Sequence, residues 1–215
     1  MSNIGKPERE TQNRVVALFR DDLGYKYLGD WSDRHTNSNI EVNLLSQYLT
    51  RAGYTKDQIS RAIYRLKTEA KNPNRNLYDN NKAVYSLLRY GVPVKIEAGK
   101  VTETVKVINW DKPEKNDFYI AEEVTLHGNL ERRPDLVLYV NGIRQLLSNQ
   151  QKEFNEWFFA TVQIVIAGND SEGLRYGSIK TEEKYFLNME GRRGRRFAIQ
   201  VRKISRQNLP QRPAH

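Results

Sequence analysis

The chain has 215 residues, no cysteine and a formal net charge of +9; that length suffices for one large domain with a sizeable core. The missing cysteine excludes a disulfide framework, thiolate metal ligands and thiol nucleophiles. No apolar run approaches the roughly 20 residues of a spanning helix, and the opening Met-Ser-Asn-Ile-Gly-Lys-Pro-Glu has no apolar stretch of signal type, so a protein of the reducing cytoplasm with no membrane partner is expected.

The charge is unevenly spread. Residues 191–215 hold Arg192, Arg193, Arg195, Arg196, Arg202, Lys203, Arg206 and Arg212 with no acid, so this tail carries +8 and the other 190 residues only +1. Charge therefore points to a polyanion-attracting tail and says little about the body.

In chain order, Glu8 to Leu23 places Val15, Val16, Leu18, Phe19 and Leu23 on one helical face, with Gly24 as a stop. After the loop "GDWSDRHTNSN", Ile40 to Ala52 reads as a second amphipathic helix ended by Gly53. Thr55 and Gln58 form a capping box for a third helix reaching about Lys71, and Asn72-Pro73-Asn74 breaks it. Asp79 is expected to cap a fourth helix over Val84, Leu87 and Leu88 that Gly91 terminates. From Val92 the period changes to alternation. "VPVKIE" and "VTETVKVIN", joined by Ala98-Gly99-Lys100, predict a hairpin with Val101, Val105 and Val107 as its apolar set. "DFYIAEEVTLHG" and "PDLVLYV" are the next strand candidates.

Asn141-Gly142 is the strongest short-range signal for a two-residue hairpin turn, yet Arg144 to Phe158 has helical spacing and is expected to be a helix. "TVQIVIAG" reads as a buried strand, "LRYGSI" and "EKYFLN" as late strands. Helices followed by a mixed sheet with one crossing helix define an α/β or α+β class. The tail is read as disordered or a loose arm, although "RFAIQVRKI" has the makings of a short strand.

Few residues carry an obvious chemistry. Asp135, at the head of an apolar strand, is either a turn residue or a carboxylate held for a metal ion. Glu122 and Glu123 could assist, but strand alternation sends only one of them to any given face. His35, His127 and His215 lack metal-ligand spacing, and no phosphate-binding or dinucleotide fingerprint occurs around Gly168, Gly173 and Gly177. The tyrosines, among them Tyr25, Tyr27, Tyr54, Tyr64 and Tyr78, are expected mostly in packing rather than base stacking, and Arg175-Tyr176-Gly177 as a turn.

Together "FRDDLGYKYLGDW", "KVINWDKPEKNDFYIAEEVTLHG", "RRPDLVLYVNG" and "TVQIVIAGNDSEGLRYGSIKTEEKYFLN" resemble the N-terminal domain of the R subunit of type I restriction enzymes, from about residue 7 to 188. The resemblance implies a restriction-endonuclease-like mixed central sheet flanked by helices with an N-terminal helical region. The implied limits are 1–190 for the domain, with helices over about 7–91 and the sheet over about 92–188, then a basic tail at 191–215. It also implies a PD-(D/E)xK nuclease that cuts duplex DNA with Mg²⁺, the ATP-driven motor lying elsewhere in full-length members. The modification and specificity subunits would be its partners. Such chemistry needs an Asp at a strand head, then an acid and a Lys two apart on the returning strand, the acids holding metal and the Lys assisting attack.

Pro134-Asp135 matches the first half, so the resemblance makes Asp135 a metal ligand. Gln145 matches the glutamine of a Q-x-x-x-Y motif that borders the active site in related nucleases, although Asn149 stands where the Tyr should be. The Glu-x-Lys half is missing: the resemblance resumes at Ile143-Arg144-Gln145, in the helix that should follow the returning strand. Either the segment is deleted, or residues 143 and 144 are not neighbours and a strand lies between them. The second is favoured, because losing a central strand would leave ladder groups unpaired. A non-catalytic DNA-binding or subunit-docking module of the same fold is the alternative function.

Overall fold

A computed structural model describes residues 5–96, 101–126, 131, 133–148, 159–169, 173–178 and 187–188. Helix α1 (Gly5–Ala17) runs into one π-helical turn (Leu18–Asp22), and strand β1 (Lys26–Asp30) follows. Then come α2 (Val42–Arg51), α3 (Lys56–Ala70) and α4 (Leu77–Tyr90). A small antiparallel pair, β2 (Val92–Val94) and β3 (Glu103–Val105), is separate from the main sheet. The main sheet adds β4 (Phe118–Glu122), β5 (Leu136–Val140), β6 (Ile143–Ser148), β7 (Ile164–Asn169), β8 (Gly173–Gly177) and β9 (Leu187–Asn188).

Seven strands lie in the order β1-β4-β5-β6-β7-β8-β9. The β1–β4 and β6–β7 pairs are parallel and the rest antiparallel, which gives a mixed sheet with helices, as the patterning implied. Alternation along the two central strands sorts the layers. Tyr119, Ala121, Val137 and Tyr139 join the main core with Leu45, Leu49, Leu66 and Val84 of the helices. Ile120 and Leu138 project to the other face and bury Val16 and Phe19 of the first helix and its π turn.

Local signals account for the helix ends. The Thr55 hydroxyl accepts from Gln58 N and the Gln58 side chain accepts from Thr55 N, the expected capping box. The fourth helix starts earlier than expected: Asn76 is its N-cap, and its side-chain Oδ1 accepts from the backbone N–H of Asp79. Strand β1 was not anticipated, since "KYLGD" is short, half polar and broken by Gly29 at φ +97°. In the small hairpin Val105 and Val107 are buried, but Val101 is 85% exposed and lies outside the strand. Arg175-Tyr176-Gly177 is not a turn but part of β8, paired with β7. His127, Ala98-Gly99-Lys100, residues 149–158 and the 191–215 tail lie outside the described residues.

The main correction concerns the segment after Asn141-Gly142. Ile143–Ser148 is itself a returning arm beside β5, so Arg144 to Ser148 is strand rather than the expected helix. It pairs Val140 with Ile143, Tyr139 with Arg144, Leu138 with Leu146 and Val137 with Leu147. The turn explains why. Asn141 (φ +53°) and Gly142 (φ +81°) are both left-handed, as a tight hairpin turn needs. The Asn141 amide donates to the Val107 carbonyl (2.9 Å) and to Asn116 Oδ1 (2.8 Å), and accepts from Asp117 N (2.7 Å). The Gly142 carbonyl accepts from Glu41 N (2.8 Å) at the start of α2. A turn fixed on all sides obliges the chain to return beside β5, and pairing outweighs helical side-chain spacing.

Two predictions follow from this framework. A methyl group at Gly142 would meet Leu44 Cβ at 2.7 Å and the Glu41 carbonyl at 2.8 Å. Gly142→Ala should therefore cost on the order of 2 kcal/mol or more, measured by urea denaturation; a cost near zero would refute the buried-turn geometry. Asp117 ties β1 to α2 through Lys26 (3.2 Å) and Arg51 (2.5 Å). Burial alone would raise its carboxyl, but those two cations hold it below the ordinary 3.8. Such a group contributes stability above its unfolded pKa and loses it as pH falls through the depressed folded value. Asp117→Asn should be less stable at neutral pH and show a shallower loss between pH 4 and pH 2 (about those limits).

Candidate active site and its carboxylates

The head of β5 is built by backbone. Pro134 is buried and its carbonyl accepts from Val124 N (3.1 Å), while the Asp135 carbonyl accepts from Glu123 N (3.0 Å) and Gln12 Nε2 (3.3 Å). Asp135 itself is exposed at the mouth of this junction. Glu122, the last residue of β4, is 4% exposed, on the face that α1 covers. It accepts from the Tyr27 hydroxyl (2.7 Å) and from Gln12 Nε2 (3.0 Å), with Arg9 at 3.4 Å.

Glu123 does not point away. Its φ of +50° breaks the alternation, so it accepts from the same Gln12 amide (3.1 Å) and from Arg9 (3.3 Å). The expectation that only one of the two acids reaches a given face is thus corrected by one left-handed residue at the strand end. Arg9, Gln12 and Tyr27 were not anticipated here. Their signal was available in the i, i+3 spacing of Arg9 and Gln12 on a polar helical face. Burial, then the Glu122 carboxylate, pushes the Tyr27 hydroxyl up to about 12.

Mg²⁺ asks for near-octahedral oxygen ligands. Among the described residues no group of three or more His, Asp or Glu side chains is arranged to hold a metal ion. Two of the three acids present are engaged by Arg9 and Gln12, and the returning arm Ile-Arg-Gln-Leu-Leu-Ser offers neither acid nor lysine. The described residues therefore do not fit the metal that the resemblance implies.

Gln145 lies in β6 rather than in a helix. It is the extra residue of a bulge, since Tyr139 and Leu138 are consecutive while their partners Arg144 and Leu146 are not. Its Nε2 is buried and meets no acceptor among the described residues, and its carbonyl accepts from Gln163 N (3.3 Å). The bulge sits about 10 Å along the hairpin from Asp135 at strand spacing, so the structure does not bring these two together. His35 is exposed in a loop.

Arg144 takes the first inward position of the returning arm and is fully buried. It donates Nη2 to the Ser38 carbonyl (2.9 Å), its backbone N–H to the Asn39 carbonyl (3.0 Å), and packs over the Tyr139 ring at 5.7 Å. Burial lowers its pKa, against support from Tyr139 and from Glu41, whose own carboxylate is held by Arg34 (2.6 Å). Because Glu41 keeps Arg34, Arg144→Met should be near neutral, relieving a desolvated charge at similar volume. Arg144→Ala should cost about 2–4 kcal/mol through the cavity. Finding methionine the costlier of the two by denaturant titration would show that the guanidinium is a required link.

The family described as type I restriction enzyme R protein N terminus matches residues 5–184. Two relatives come from Methanocaldococcus jannaschii. The protein bearing the name type I restriction enzyme MjaVIIIP endonuclease subunit is 28% identical over 164 residues, covering 73% of this chain and 15% of its own length. The MjaIXP endonuclease subunit is 31% identical over 93 residues, covering 40% of this chain and 9% of its own. The chain thus spans a small fraction of the relatives it matches. With 180 matched positions running from α1 through β8, this chain belongs to the family of type I restriction enzyme R protein N-terminal regions.

Proposed function

We propose that this chain is the nuclease-type N-terminal region of a type I restriction R subunit, acts on duplex DNA beside modification and specificity subunits in the cytoplasm, and does not hydrolyse DNA by itself. One observation carries the reading: a hairpin with Asp135 at its head whose return arm, Ile143–Ser148, contains no acid and no lysine. Family membership supports the restriction setting. Mg²⁺-dependent phosphodiester cleavage coupled to ATP-driven translocation is what the resemblance implies for full-length family members; of the implied site this chain keeps Asp135, the implied metal ligand, at the head of β5, and Gln145 in the return arm. ATP would act only through the motor, and this chain has no phosphate-binding loop for it.

Hydrolysis of a phosphodiester needs a held cation or an equivalent donor set facing the developing charge. Asp135 with a return arm of Ile, Arg, Gln, Leu, Leu and Ser supplies neither. The second reading, a non-catalytic DNA-binding or docking module, is favoured by the same return arm and by the engagement of Glu122 and Glu123 with Arg9.

Supercoiled plasmid incubated with the full chain and Mg²⁺ or Mn²⁺ tests this directly. Nicking should not exceed that of the Asp135→Ala variant. Metal-dependent cleavage by the unaltered chain that Asp135→Ala abolishes would overturn the proposal and show that the acid and lysine of the return arm are dispensable.

A further inference from the structure

The most basic part of the body lies in its helices rather than at the strand ends. Residues 56–95 hold nine Lys and Arg against Asp57, Glu69 and Asp79, a balance of +6. Since residues 1–190 together carry +1, everything else in them is net negative.

Helix α3 concentrates this charge on one side. It buries Ile59, Ala62, Ile63, Leu66 and Ala70. Its outer side exposes Asp57, Arg61, Tyr64, Arg65 and Lys67, and the exposed Lys71 follows as its C-cap. Tyr64 is 73% exposed, against the expectation that it would pack, and makes no ring contact among the described residues. Arg65 and Lys67 enter no ion pair among the described residues, and Arg61 donates to the Ile96 carbonyl (2.9 Å). Glu69, the acid nearest in sequence, is held by Arg75 at 2.5 Å.

Along the helix Asp57 and Arg61, and Arg65 and Glu69, stand four apart with opposite signs, while Arg61 and Arg65 are a like pair. With Glu69 held by Arg75 beyond the helix, Arg65 and Lys67 add net positive charge that a polyanion would neutralise. From Arg61 to Lys71 the side extends about 15 Å, over which duplex DNA presents on the order of nine phosphate charges.

We infer that the outer side of α3 is a contact surface for the phosphate backbone of duplex DNA, with Arg65 and Lys67 neutralising phosphates and the Tyr64 hydroxyl donating to one. This deepens the DNA reading above and rests on it. The contact is backbone-directed and carries no sequence preference.

Fluorescence anisotropy with a labelled duplex of arbitrary sequence, titrated with salt, decides the matter in the full chain. The double variant Arg65→Ser/Lys67→Ser should weaken binding at least ~10-fold at low salt and reduce the slope of log affinity against log salt by about 1.8, two phosphate contacts at roughly 0.9 each. A matched loss of charge at exposed Lys112 and Lys115, both to Ser, should change the slope far less. Serine at Arg192, Arg193, Arg195 and Arg196 should add to the α3 effect without replacing it. Thermal melting confirms that each variant is folded. If the α3 variant binds with unchanged slope, or the Lys112/Lys115 control matches it, the α3 surface is refuted while the DNA reading stands. If the unaltered chain binds no duplex at low salt, the DNA reading falls and takes the surface with it.

Discussion

The buried Asn141-Gly142 turn is the constraint on which the centre of the molecule depends. Its two left-handed residues reverse the chain, the Asn141 amide joins Val107, Asn116 and Asp117, and Gly142 lies against the first turn of α2. Asp117 in turn holds Lys26 of β1 and Arg51 at the end of α2. Three elements are thus anchored to one reversal. Once it forms, whatever sequence follows must pair with β5, because an open central ladder would leave buried N–H and C=O groups without partners. "IRQLLS" pairs despite its helical spacing, and accommodates the mismatch with a bulge at Gln145 and a buried cation at Arg144.

A second organising effect is the position of the first helix. Ile120 and Leu138 project to the side opposite Tyr119, Val137 and Tyr139, so Val16 and Phe19 have a small separate core to dock on. That docking delivers Arg9 and Gln12 to Glu122 and Glu123. A 4% exposed carboxylate with no compensation would be costly; the Tyr27 hydroxyl, the Gln12 amide and the Arg9 guanidinium offset that cost. The same contacts explain why the acids of this junction are not arranged as a metal cage. Arg9 offsets one of their two charges from within the chain, which also lowers the repulsion a polyanion would feel near Asp135.

Much of the fold was legible wherever a local rule decides the structure. The Thr55/Gln58 capping box, the Gly91 stop and the Asn141-Gly142 turn all depend on a few adjacent residues. Illegible features depended on distant partners. Strand β6 has helical spacing, and only the register with β5 and β7 makes it a strand. Strand β1 has little apolar alternation and exists because β4 offers it a parallel edge. In the site, Asp135 could be placed at a strand head from Pro134-Asp135 alone. The convergence of Glu122 and Glu123 could not, since it follows from φ +50° at Glu123 and from a helix more than a hundred residues earlier in the chain.

Fold and chemistry come apart at the return arm. Hairpin closure requires backbone groups from any six residues, and Ile143–Ser148 supplies them. Phosphodiester hydrolysis requires specific side chains at specific steps, and the arm Ile, Arg, Gln, Leu, Leu, Ser carries neither the acid nor the lysine that the resemblance implies there. Backbone pairing accommodates this sequence, with Arg144 Nη2 donating to the Ser38 carbonyl and the guanidinium over the Tyr139 ring. A family fold therefore persists here under a turn that enforces it, and the strand that the turn brings home is set by backbone pairing, with a bulge at Gln145 and a buried arginine at its start.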